Sequence, residues 1–110
     1  MHPRRGEVWW VSSDPSIGGE IQKTRPAIVV SNDAANSALN RVIVVPITSR
    51  VEKLYPGEAI VTVNGQQRKA MADQIATASK LRLTNKFGIL SRRDLSSVEE
   101  AILLQLGMRR

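Results

Sequence analysis

The chain has 110 residues, of which 42% are apolar, enough for one core of modest size, so a single domain spanning 1–110 is expected. With no cysteine, a disulfide framework, a thiolate zinc site and a cysteine nucleophile are all excluded, and a reducing cytosol fits. Sixteen Lys and Arg against ten Asp and Glu give a net charge of +6, which either draws a polyanion such as nucleic acid or simply keeps a small domain soluble.

In chain order, the first residues, Met1-His2-Pro3-Arg4-Arg5-Gly6, carry no apolar signal region. Nowhere does the sequence approach the roughly 20 uninterrupted apolar residues of a membrane span. A soluble, cytoplasmic protein is expected. Glu7 to Ser12 is rich in β-formers and empties into Ser13-Asp14-Pro15-Ser16-Ile17-Gly18-Gly19, the start of a long polar loop that runs to about Thr24. Pro26 to Ser31 and Val42 to Thr48 are short, continuous β-branched runs, expected as central strands buried on both faces. Asp33 to Leu39 between them can form a short helical turn. Glu58 to Val63 ends at Asn64-Gly65, a strong two-residue hairpin signal, and the returning strand is expected to run from Gln66 to about Ala78. Lys86 to Leu90 supplies one more strand. In the last segment Ser91 can cap a helix with Asp94 at its third position, and Leu95, Val98, Ile102 and Leu106 follow at helical spacing before Gly107. Five to seven short strands and one terminal helix predict a mostly β fold, a small, strongly curved antiparallel barrel of the SH3-like kind.

His2 is the only histidine, so a two-histidine acid-base nuclease is excluded. No His-Glu cluster, Cys pair or EF-hand spacing occurs, and the acidic residues are scattered, so neither a metal nor a cofactor is expected. What remains are polar residues at strand entrances and exits. These are Glu20 and Lys23 in the long loop, Arg25 before the first buried run, Thr48 and Ser49 after the second, and Asp73-Gln74 inside the returning strand. Singly, each has a plain structural role open to it: a solvated flank to Pro26 for Arg25, an ordinary strand end for Thr48, a turn former for Asp73.

Together the residues form a pattern. Gly6-Glu7-Val8-Trp9, Gly18-Gly19-Glu20 with Arg25-Pro26-Ala27-Ile28-Val29-Val30-Ser31-Asn32 five residues on, Val45-Pro46-Ile47-Thr48-Ser49, Tyr55-Pro56, Ala72-Asp73-Gln74-Ile75 and Lys80-Leu81-Arg82-Leu83 follow one another in order. Over nearly its whole length the chain resembles the MazF/PemK family of toxin ribonucleases. The resemblance implies a CcdB-like fold and a homodimer that cleaves single-stranded RNA at short sequences. It also implies a 2′,3′-cyclic phosphate and a 5′-hydroxyl as products, and neutralisation by a cognate acidic antitoxin of the MazE kind. Catalytic roles carry over to Arg25 and Thr48. Two departures separate the chain from the PemK branch: Gly19 stands where that branch has a histidine, and Met71 where it has an arginine. The MazF-type pair is therefore the one implied.

The chemistry fits these residue types. If the substrate's own 2′-hydroxyl attacks phosphorus, the protein has to orient the attack, accept its proton and stabilise added negative charge. A guanidinium such as Arg25 grips phosphate oxygens as a fork and stays cationic, and Thr48 can donate to a non-bridging oxygen. Arginine rarely yields its proton, so Glu20 is the base candidate, although it could equally pair with Arg25 or meet a partner. Ser49, Asp73, Gln74 and Lys23 are substrate-binding candidates. Two rival readings are a toxin of the same fold that acts on a protein such as gyrase and a simple nucleic-acid-binding barrel. Both Arg25 and Thr48 being present argues against the first. Only four aromatic residues, Trp9, Trp10, Tyr55 and Phe87, are few for a base-stacking platform.

Overall fold

The computed structural model describes residues 2–12 and 24–108. Seven strands are joined in one antiparallel sheet: β1 (Glu7–Ser12), β2 (Thr24–Val29), β3 (Arg41–Thr48), β4 (Glu58–Val63), β5 (Gln66–Met71), β6 (Ala76–Ser79) and β7 (Leu83–Ile89). Two helices, α1 (Asp33–Ala38) and α2 (Arg92–Gln105), and two short 3-10 turns at Ala72–Gln74 and Lys80–Arg82 complete the described chain. The strand order is β4-β5-β3-β2-β1-β7, with β6 also paired to β3. The two ends of that order approach each other. Asn64 Nδ2 in the β4–β5 turn donates to the Phe87 carbonyl at 2.8 Å, and a methyl group on Gly88 would lie 2.9 Å from Val63 Cγ1. The sheet is thus curled into the expected barrel-like form.

Alternation explains why the β-branched runs are continuous. Along β2, the Val30 that follows it, and β3, the side chains of Ile28, Val30, Val45 and Ile47 enter one cluster, while Ala27, Val29, Val42 and Val44 enter a second on the opposite face. The first cluster is the larger, holding also Val8, Ala59, Val61 and Val63, and α2 covers it through Val98 and Ala101. The second is thinner and is edged by Trp9, Val11 and Leu83. Trp9 and Trp10 point to opposite faces and neither is fully buried; Trp10 lies on the other side, its ring 4.9 Å from that of Phe87. Ile43 is a departure from burial on both faces, being 41% exposed.

The returning strand differs from expectation. It breaks at Ala72–Gln74, so that β5 and β6 are separate strands and Asp73 and Gln74 sit in a 3-10 turn rather than inside a strand. The break lets one edge of β3 be shared: Ile47 and Thr48 pair with β5, Arg41 to Val44 with β6. The last strand is longer than Lys86 to Leu90, starting at Leu83. The Asn64-Gly65 hairpin forms as read, both residues having positive φ (52° and 79°), the signature of a type I′ turn. The Ser91 hydroxyl accepts from the Asp94 N–H at 3.1 Å and caps α2.

Candidate active site

Over the thinner cluster the sheet leaves an open groove of about 460 Å³. Its floor follows from register. Val11 pairs with Arg25, Ala27 with Pro46, and Val44 with Ala76, so these side chains share one face. Arg25, exposed on β2, stands at the groove from one side of β3, and Arg82 reaches it from the turn beyond β6 on the other. Gln74, Thr77 and Ser12 add polar groups around an apolar floor of Ala27, Val44, Pro46 and Ala78. Two guanidinium groups over a shallow apolar floor suit an extended anionic chain whose phosphates meet the cations while its bases lie on the floor.

Thr48 lies one step beyond. The β2–β3 pairing ends at Ala27–Pro46, and alternation two residues on along each strand puts Arg25 and Thr48 on the same face; Thr48 itself does not line the groove. The Thr48 hydroxyl accepts from the Arg50 N–H at 3.2 Å, which leaves its own hydrogen for an external acceptor such as a phosphoryl oxygen. Ser49 follows it, exposed. Gln74 lines the groove, its amide 3.5 Å from the Met71 sulfur, whereas Asp73 is exposed on the same turn and does not line it. Glu20 and Lys23 lie outside the described residues. Among the described residues no three His, Cys, Asp or Glu side chains are grouped as metal ligands. Nor does any described helix have the length and apolar character to cross a membrane.

Sequence reasoning passed over Arg82 and Thr77. Arg82 was visible as a cation within Lys80-Leu81-Arg82-Leu83, but its place at the groove depends on β6 lying against β3. Nothing in the local pattern of Thr77 marks it.

Comparison with known proteins gives the family and the fold. A family profile described as PemK-like, MazF-like toxin of type II toxin-antitoxin system matches residues 4–106. The chain belongs to the MazF/PemK family of toxin endoribonucleases. Among MazF relatives, Endoribonuclease MazF9 of Mycobacterium tuberculosis is 40% identical, covering 96% of this chain and 97% of its own. Endoribonuclease EndoA of Bacillus subtilis is 30% identical over 98% and 97%. Solved MazF structures share the fold. MazF of Deinococcus radiodurans superposes with a TM-score of 0.79 at 26% identity, covering 98% of this chain and 99% of that one. A MazE-MazF complex from the same organism gives 0.78, again at 26% identity, over 99% of both chains.

Proposed function

We propose that this MazF-family protein is a cytosolic, sequence-specific endoribonuclease that cleaves single-stranded RNA by attack of the substrate's own 2′-hydroxyl. The products are a 2′,3′-cyclic phosphate and a 5′-hydroxyl. The observation that carries the reading is the shared face of Arg25 and Thr48 beside a groove that also receives Arg82. Arg25 would stabilise the charge gathered on the phosphorane, and the Thr48 hydrogen, its oxygen already engaged by the Arg50 N–H, would fix a non-bridging oxygen. Arg82 and Gln74 would hold flanking nucleotides, with Ser49, Asp73 and Lys23 as further contacts. Glu20 is the proposed base, since guanidinium holds its proton too tightly for that role. This chemistry needs no metal or other cofactor.

Two partners belong to the proposal. Ile43, Leu104, Leu106 and Met108 are exposed, and a twofold dimer, the commonest closed assembly, would cover part of that apolar surface. The MazE-MazF complex of Deinococcus radiodurans supports an antitoxin here as well. A +6 surface selects an acidic one, whose chain would compete with RNA for the groove.

The test is cleavage of a mixed RNA pool in EDTA with sequencing of the new ends. Activity should persist, the ends should carry cyclic phosphate and 5′-hydroxyl, and deoxyribose at the single sugar 5′ of the cut should abolish cleavage with binding nearly intact. Ends carrying 3′-hydroxyl and 5′-phosphate would mean that water attacks instead.

A further inference from the structure

The row of side chains that carries Thr48 continues onto the next strand, where its register partner is Lys69 of β5. Directly paired positions on antiparallel strands hold their Cβ atoms roughly 4.5–5.5 Å apart on one face, so Lys69 is the immediate neighbour of Thr48. A strand lysine ordinarily carries its ammonium into water. Lys69 does not: it is only 8% exposed. Its ammonium donates to the Lys53 carbonyl at 2.9 Å and lies 3.2 Å from the Glu58 carboxylate. That carboxylate accepts from the Tyr55 N–H at 2.8 Å, and the Glu58 N–H donates to the Tyr55 carbonyl at 3.1 Å.

One buried ion pair therefore grips two backbone groups of residues 49–57, the segment that runs on directly from Thr48. The far end of that segment is fixed too, because the Ala72 N–H donates to the Gly57 carbonyl at 3.2 Å. Such a pair adds little stability in itself, since desolvation of both charges offsets their attraction and well-packed apolar residues often do as well. What apolar residues cannot supply is directional anchoring of a particular carbonyl and a particular N–H. Bond-making chemistry is sensitive to that kind of placement, as a shift of about 1 Å in a reacting group can cost on the order of 10²-fold in rate.

We propose that Lys69, acting through Glu58, is a positioning residue for RNA cleavage: the pair clasps Lys53 and Tyr55 and so holds Thr48 and the segment leaving it in reactive register. The inference rests on the reading of Thr48 and Arg25 as the catalytic pair.

The experiment compares wild-type protein with Lys69→Met, Lys69→Arg, Glu58→Gln and Arg25→Ala. The probe is a short single-stranded RNA bearing a cleavage site found by end-sequencing. Single-turnover rate at saturating enzyme is measured well below each variant's melting temperature, along with affinity for the same oligonucleotide carrying deoxyribose at the cut. Lys69→Met should lower the rate by about 10-fold to 100-fold and leave affinity near wild type. Lys69→Arg keeps a cationic donor and should recover most of the rate. A Lys69→Met protein that melts earlier yet cleaves at the wild-type rate would overturn the proposal. Should that variant fail to fold, Glu58→Gln decides by the same rate, since it removes only the charge and keeps an acceptor for Tyr55. If Arg25→Ala cleaves normally, the catalytic reading fails and takes this inference with it. If Arg25→Ala is inactive while both clasp variants keep the full rate, the clasp alone is refuted.

Discussion

Replacing Arg25 by Ala removes one of the two guanidinium groups at the groove, and its effects on binding and on chemistry should separate by a calculable margin. For a single strand, each phosphate contact contributes about 0.7 to the slope of log affinity against log salt. Losing one contact should make the slope shallower by that amount, so that between 50 and 200 mM salt the wild type loses only about 2.6-fold more affinity than the variant. Chemistry should suffer far more. Removing one donor that stabilises transition-state charge costs about 10²–10³ in rate, or about 2.7–4 kcal/mol. The assay pairs salt-dependent binding of a deoxyribose-blocked RNA with single-turnover cleavage of the all-ribose version. Arg25→Lys should restore the slope, which needs only charge, but little of the rate, which needs the planar fork. Arg82→Ala should remove a similar share of the slope. If Arg25→Lys cleaves at the wild-type rate, or if Arg25→Ala loses no more in rate than in affinity, the assignment of Arg25 to the charged transition state is wrong.

Two further predictions concern the scaffold. Burial pushes the Glu7 carboxyl up, but the Arg4 N–H at 2.8 Å, Trp9 Nε1 at 3.0 Å and the Lys86 ammonium at 3.0 Å together outweigh it and hold its pKa below the ordinary value. The stabilisation is present above the unfolded carboxylate pKa and is lost as pH falls through the folded one, so melting curves taken on the acid side should fall less steeply for Glu7→Gln, and identical pH profiles would count against the role given to this carboxylate. Asn36 is wholly buried, with its amide donating to the Ser31 carbonyl at 2.9 Å. Asn36→Leu keeps the branched shape but strands that carbonyl, which should cost about 1–3 kcal/mol in urea unfolding; an unchanged midpoint would refute the accounting.

Much of the architecture could be read from local pattern because local physics decides it. The Asn64-Gly65 turn needs two residues that tolerate positive φ, and the sequence supplies them. Ser91 caps α2 because its hydroxyl and the Asp94 N–H are three residues apart, whatever surrounds them. The continuous β-branched runs of β2 and β3 announce strands with apolar clusters on both sides. Arg25 and Thr48 stood out as candidates through their place in an ordered family pattern, and strand alternation puts them on one face of the sheet.

Other features depended on distant parts of the chain. Nothing between Gln66 and Ala78 contains a glycine or proline to mark the break after Met71. That break exists because β3 offers one edge to two strands, β5 along Ile47–Thr48 and β6 along Arg41–Val44. Once β6 occupies that edge, the following turn carries Arg82 to the groove, 57 positions along the chain from Arg25 (82 − 25). Lys69 reads in sequence as one more solvated strand cation; only the fold closes Lys53, Tyr55 and Glu58 around it. Turns, caps and apolar runs are set by interactions among near neighbours, so the sequence alone determined them. Which charged side chains converge on one face is set by strand pairing between remote segments, and that only the tertiary structure could decide.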